Sequence, residues 1–171
     1  MEIGIDQIVL LATIGIPFLA SLVLFCGFVA SDVGVKRLGC LGFILPFAGS
    51  LWLFLRFNYG IEAGNQFSVL FERVGLQQFG IMFHLGLNGV STPLFLMTGI
   101  VGLAGGWTAI CSRTDRLRLY LALLTLMHSG LLGFFASVDL FFFFLFHEFA
   151  LVPSFVMIGL WGGRDRRGAA M

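Results

Sequence analysis

Charge is confined to the gaps between long apolar runs, and that segregation limits the chain to one kind of solvent. The runs are Ile8–Ala30, Leu38–Leu55, Ser91–Cys111, Leu119–Val138 and Leu140–Gly162. Each is close to the roughly 20 residues that a helix needs to cross the hydrocarbon of a bilayer. The first four contain no Asp, Glu, Lys or Arg, and the last contains only Glu148. Just 11% of the residues are charged, against about 25% in a soluble domain. So little polar surface cannot cover a core, and the predicted fold is an all-α membrane protein with five transmembrane helices. The opening MEIGID has no Lys or Arg ahead of its apolar run, which predicts a retained first helix rather than a cleaved leader. No basic stripe carries interleaved aromatics, so nucleic-acid binding is excluded. Cys26, Cys40 and Cys111 are odd in number and lack metal-ligand spacing; they read as small buried hydrophobes.

The stretch Asn58–Val90 between the second and third runs is too long for a plain connection. At a spacing of two, Phe67, Val69 and Phe71 share one face, as do Phe79, Ile81, Phe83, Leu85 and Leu87. Period two predicts strands, with Glu72–Gln78 as the turn of a short external β-hairpin between helices 2 and 3. Eight of the ten Lys and Arg residues fall on one side: Lys36, Arg37, Arg113, Arg116, Arg118, Arg164, Arg166 and Arg167. Arg56 and Arg73 fall on the other. The positive-inside rule then places the N-terminus outside and the C-terminus in the cytoplasm. Ser91 and Thr92 ahead of Pro93 form a hydroxyl-capped helix start. Pro17, Pro46 and Pro153 lie within spans, and each frees a carbonyl one turn earlier; for Pro153 that carbonyl belongs to Phe149, beside Glu148.

Glu148 is the candidate functional residue. An ionised side chain at the bilayer centre costs at least about 2.5–3.5 kcal/mol and by default marks a functional site, with a neutral, hydrogen-bonded structural acid as the plainer alternative. A tight turn near Ser137–Asp139 makes helices 4 and 5 antiparallel neighbours. His128 and Glu148 then differ in depth by only about 3 Å and share a layer if their faces agree. His128 is therefore the candidate relay partner, although a neutral imidazole bonded across a helix interface explains it equally. His147 is about 100° around the helix from Glu148. His84 belongs on the polar face of the hairpin, and Asp139 reads first as a helix cap. The Phe141–Phe144 block reads as lipid-facing or packing surface. A different class of reading makes His128 and His147 axial ligands of a membrane haem; another makes the chain an inert scaffold or a remnant.

The segment LLTLMHSGLLGFFASVDLFFFFLFHEFALVPSFVMIGLWGG, Leu123–Gly163, resembles the helix 4–5 region of the antiporter-like subunits of respiratory complex I, nearest to chain M, also called chain 4. HLGLNGVSTPLFL, His84–Leu96, is similar to the family's segment before helix 3, and GGRDRRGAAM is similar to its link into helix 6. The resemblance implies that Glu148 is the helix-5 glutamate of a proton half-channel in a non-redox, proton-translocating subunit of NADH:quinone oxidoreductase. It implies no cofactor and no metal. Its partners would be other membrane subunits of the complex, with quinone met only through the complex, in a bacterial inner (plasma) membrane. Related cation/proton antiporters and membrane hydrogenases share the family. The chain departs from it by having His128 where a glutamate is frequent and Asn88 where an aspartate is frequent. The family's intramembrane lysines lie on later helices; the one lysine here, Lys36, falls in a predicted loop. The chain therefore reads either as the N-terminal piece of a split or truncated subunit or as a shortened subunit completed by another chain, and in both cases as inactive alone.

The charge asymmetry fixes a topology that reporter fusions check. Fusions after Arg37, Arg116 and Arg167 should report the cytoplasm and one at Gln77 the exterior; a cytoplasmic signal at Gln77 reverses the assignment.

Overall fold

The computed structural model describes residues 4–29, 31–59, 64–71, 81–112 and 114–162. The chain runs α1 (Ile5–Cys26), α2 (Asp32–Arg56), β1 (Gln66–Phe71), β2 (Phe83–Leu87), α3 (Ser91–Cys111), α4 (Leu117–Ala136) and α5 (Leu140–Trp161). All five helices are long and apolar enough to cross a membrane. Both tyrosines and all three tryptophans lie at or near helix ends: Trp52 and Tyr59 at one end of the bundle, and Trp107, Tyr120 and Trp161 at the other. Amphipathic rings at both ends are what two membrane–water interfaces select.

The helix boundaries follow local chemistry. Gly27 ends α1 by turning left-handed, with φ 73°, and its N–H bonds to the Leu24 carbonyl; the helix stops there rather than at Ala30. Ser31 caps α2 by accepting from the Gly34 N–H at 3.1 Å. The helix begins at Asp32, so Lys36, expected in a loop, lies in its second turn. Its charge misled because a span extends past the hydrocarbon into the interface. The cap of α3 is also not the expected one. The Asn88 side chain accepts from the Val90 and Ser91 N–H groups at 3.0 and 2.8 Å. The Thr92 hydroxyl donates back to the Asn88 carbonyl at 2.7 Å. Asp139 caps α5 as expected, accepting from the Phe141 N–H at 2.8 Å.

The hairpin pairs β1 with β2 antiparallel, with Val69 opposite Leu85 and Phe71 opposite Phe83 and an irregularity after Gln66. The expected turn, Glu72–Gln78, lies outside the described residues, as does Phe79. Val69, Leu85 and Leu87 are buried because the hairpin lies over the helix ends. Leu85 bridges to Ser137, and the Val138 N–H donates to the His84 carbonyl at 3.0 Å. β2 thereby fastens to the α4–α5 turn. Gln7 donates to the Ser68 carbonyl, tying β1 to α1. His84 is only half-buried, and its ring bonds the Ser68 hydroxyl at 2.6 Å.

α4 is the central helix, packed against α1, α3 and α5. More than half of its apolar window is buried, 56%, against 6% for α5. Small residues permit this. A Cβ on Gly130 would come within 2.8 Å of the backbone of Phe149 and Ala150. One on Gly133 would collide with the Phe146 ring. On the other side, the Ser129 hydroxyl donates to the Ile14 carbonyl at 2.8 Å, and Ser21 donates to the Ala122 carbonyl at 2.9 Å. Other buried hydroxyls bond within their own helix: Thr13 to Val9, Thr98 to Leu94 and Thr125 to Leu121. They add polarity without leaving an unpaired group.

The expectation that all three cysteines are buried is corrected. Cys26 and Cys111 are exposed at the ends of α1 and α3, and only Cys40 is partly covered. An apolar thiol is as well solvated by lipid as by protein, so an apolar setting in the sequence does not imply burial.

Gly130→Ala should destabilise the fold by about 1–3 kcal/mol through overpacking against α5. Gly105→Ala, where a Cβ meets nothing within 4 Å, should be neutral or stabilise by up to about 1 kcal/mol. Reversible unfolding in mixed detergent micelles measures both.

Candidate functional site

Glu148 sits on the outer face of α5. The face that α5 turns to the bundle carries Phe146, Ala150 and Pro153, all buried. Glu148 is exposed and lies among Phe144, Leu145, Leu151 and Val152, which are exposed too. At i±3 and i±4 spacing these five residues form one continuous outward patch. The patch is apolar except for its centre. No salt bridge or hydrogen bond joins Glu148 to another described residue. Pro153 is in the helix, as the sequence indicated.

His128 faces the opposite way from α4. It is 3% exposed, and its ring occupies a notch opened by Gly102 of α3, where any Cβ would clash with the imidazole. The Phe43 ring of α2 lies 5.6 Å away, centroid to centroid. Nε2 is buried and has no hydrogen-bond partner among the described residues. The ring borders a cavity of about 260 Å³ between α3 and α4. Its other walls, including Met97, Val101, Met127 and Phe135, are almost wholly apolar.

The expected shared layer of His128 and Glu148 is therefore not formed. One residue points to α3 and the other out of the bundle past α5. Helix rotation is the quantity that spacing along the sequence left undetermined. His147 is directed elsewhere again, with its ring 5.7 Å from that of Phe134 on α4. A single porphyrin cannot lie between two imidazoles held on different sides of α4, so axial ligation by His128 and His147 is not favoured. No group of three or more potential metal-ligating side chains occurs among the described residues. The phenylalanine block divides as a packing and outward surface. Phe142 meets Phe83 at 4.8 Å and Phe143 meets Phe134 at 4.1 Å, while Phe141 and Phe144 face out.

Sequence reasoning missed Gly102, whose lack of a side chain seats His128. The signal was present as Gly102, Gly105 and Gly106 on one helix, a spacing of small residues that membrane helices use for close approach.

Fold and site together define a polytopic helical membrane protein with a carboxyl group at mid-helix on an open apolar face. The relatives make this specific: over most of its length the chain is similar to subunit M/chain 4 proteins of NADH-quinone and NAD(P)H-quinone oxidoreductases. It is 30% identical over 94% of its length to NAD(P)H-quinone oxidoreductase chain 4 1 of Nostoc sp.. It is 30% identical over 80% of its length to NADH-quinone oxidoreductase subunit M of Rickettsia conorii. Over 56% of its length it is 38% identical to NAD(P)H-quinone oxidoreductase chain 4 3 of Picosynechococcus sp.. The chain spans 29%, 27% and 17% of those three proteins. No protein-family model matches it.

Cysteine pairs test the rotation of α4. In a background with Cys26, Cys40 and Cys111 replaced by Ser, Gly102→Cys with His128→Cys should form a disulfide on oxidation. His128→Cys with Glu148→Cys should remain uncrosslinked; efficient crosslinking of that pair would mean that the two faces do meet.

Proposed function

We propose that this chain is the N-terminal part of a proton-translocating, non-redox membrane subunit of NADH:quinone oxidoreductase, with Glu148 as its proton-relay carboxylate. The observation that carries the reading is the placement of Glu148 at the centre of the outward patch of α5. A carboxyl group there costs several kcal/mol if hydrocarbon surrounds it. The cost is offset when further protein covers the face and supplies a cation or a chain of water. The relatives are subunits of NADH-quinone and NAD(P)H-quinone oxidoreductases, and their names support a role within that complex. The partners are then other membrane subunits, among them helices that bring a lysine to the level of Glu148. Quinone chemistry occurs elsewhere in the complex, and this chain alone pumps nothing.

In this reading the protein resides in a bacterial inner membrane with the hairpin end outside and the basic end in the cytoplasm. In the relay, His128 acts through the α3–α4 side rather than by contact with Glu148 within these five helices. Its unpartnered Nε2 marks a place where a water or a small rotation of the ring would supply a bond. The loosened backbone before Pro153 lies one residue from Glu148 and offers the Phe149 carbonyl to a proton path along α5.

In the assembled complex, Glu148→Gln should lower proton-coupled turnover by about tenfold or more, and Glu148→Asp should keep part of it. Proton uptake in vesicles, measured with assembly verified by native gel, decides the point: full pumping with Glu148→Gln makes the carboxylate structural.

A further inference from the structure

At the end of the bundle away from the hairpin, a cavity of about 530 Å³ opens between the N-terminal turns of α2 and α4. Lys36, Arg116 and Arg118 line it together with Asp32, Asp115 and Ser112. A second cavity, about 350 Å³, adjoins the first by sharing Arg116 and Arg118 and is otherwise lined by Leu24, Phe25 and Leu119. We propose that the pair is a binding site for one anionic phospholipid. Its phosphodiester would lie among Lys36, Arg116 and Arg118, and an acyl chain would run along Leu24, Phe25 and Leu119.

Three features support this occupant. First, the cations are uncommitted. The one ion pair among the described residues joins Arg56 to Asp6 at 3.2 Å, at the opposite end of the bundle. Lys36, Arg116 and Arg118 form none, although Asp32 and Asp115 share their cavity. Second, the backbone adds to the field. Two helix N-termini meet the cavity, each carrying partial positive charge. Arg116, the N-cap of α4, makes no side-chain cap bond, so the N–H groups of that first turn are not used up by a cap. Arg116 also adopts a left-handed conformation, φ 57°, which is uncommon for a residue with a side chain. Third, charge and shape select the ligand. Among the described lining residues, three cations against two carboxylates leave one net positive charge. That matches the single negative charge of a phosphodiester, whereas a polyphosphate overshoots it. The adjoining cavity is apolar apart from the shared arginines, and Phe25 is 44% exposed. A free anion has no use for that surface, but an acyl chain does. Basic pockets between helices at a membrane surface recognise lipid headgroups in this way.

The test uses the purified full chain in detergent, with bound lipid counted by native mass spectrometry. The probes are dioleoyl phosphatidylglycerol and dioleoyl phosphatidylcholine, which have identical acyl chains. The wild-type chain should retain one phosphatidylglycerol about tenfold more tightly than phosphatidylcholine. The triple variant K36Q/R116G/R118Q should lose that preference, and Phe25→Ser should weaken both lipids. Arg56→Gln, at the other end, should change nothing. Millimolar inorganic phosphate should not displace the lipid. Equal retention of the two lipids, or an undiminished preference in the triple variant, overturns the proposal. Displacement by inorganic phosphate overturns it as well, by assigning the site to a free anion. If the triple variant loses its helical circular dichroism, R116G alone decides: glycine suits the positive φ, so only the cation is removed.

Discussion

Lipid solvates apolar side chains about as well as protein does, so these five helices are held together where backbones approach closely and where hydroxyls find carbonyls. Such contacts concentrate on α4. Gly130 and Gly133 bring it against α5, Ser129 and the Ala122 carbonyl join it to α1, and His128 fills the notch at Gly102 of α3. Each of these is on a different side of the helix, which is why α4 is the most buried of the five. The orientation of His128 follows directly. With the glycines committed to α5 and the serine to α1, the imidazole is left to α3.

How much of this was legible in the sequence depends on whether lipid and protein distinguish the residues concerned. The five spans were legible, because water rejects runs as apolar as these and charges sort to their ends. The hairpin was legible too, since Val69, Leu85 and Leu87 alternate towards the helix ends they cover. Rotation was not. On α5 both sides are apolar apart from Glu148, so spacing along the chain allowed His128 and Glu148 one layer and left open the azimuths that separate them. The buried-cysteine reading failed for the same reason. The start of α2 was obscured by Lys36 and Arg37, whose long stems let a helix continue through the interface with its charges in water. The cap of α3 was misassigned because Asn88, lying further back, competes better for the first N–H groups than the hydroxyls that follow it.

The two ends of the bundle are built differently. At the hairpin end, polar groups are largely consumed: Asp6 binds both Arg56 and Trp52, and the His84 carbonyl takes the Val138 N–H. Secondary structure closes that end over the helix termini. At the other end the connections are short, cations outnumber their partners, and the helix N-termini are open. One end is sealed by protein, and the other offers its charge to whatever borders it.

The outer face of α5 has a consequence for assembly geometry. A helix that is hydrophobic all round carries almost no information about which way it should be turned when another helix docks on it. The neighbours Phe144, Leu145, Leu151 and Val152 would accept a partner over a wide arc with little difference in free energy. Glu148 breaks that degeneracy. It is a single angular mark on an otherwise unmarked cylinder, as one buried polar residue sets the register of a coiled coil. Any helix that satisfies the carboxyl group is thereby aligned both in height and in azimuth, so the specificity of docking rests on one side chain while its area rests on the rest.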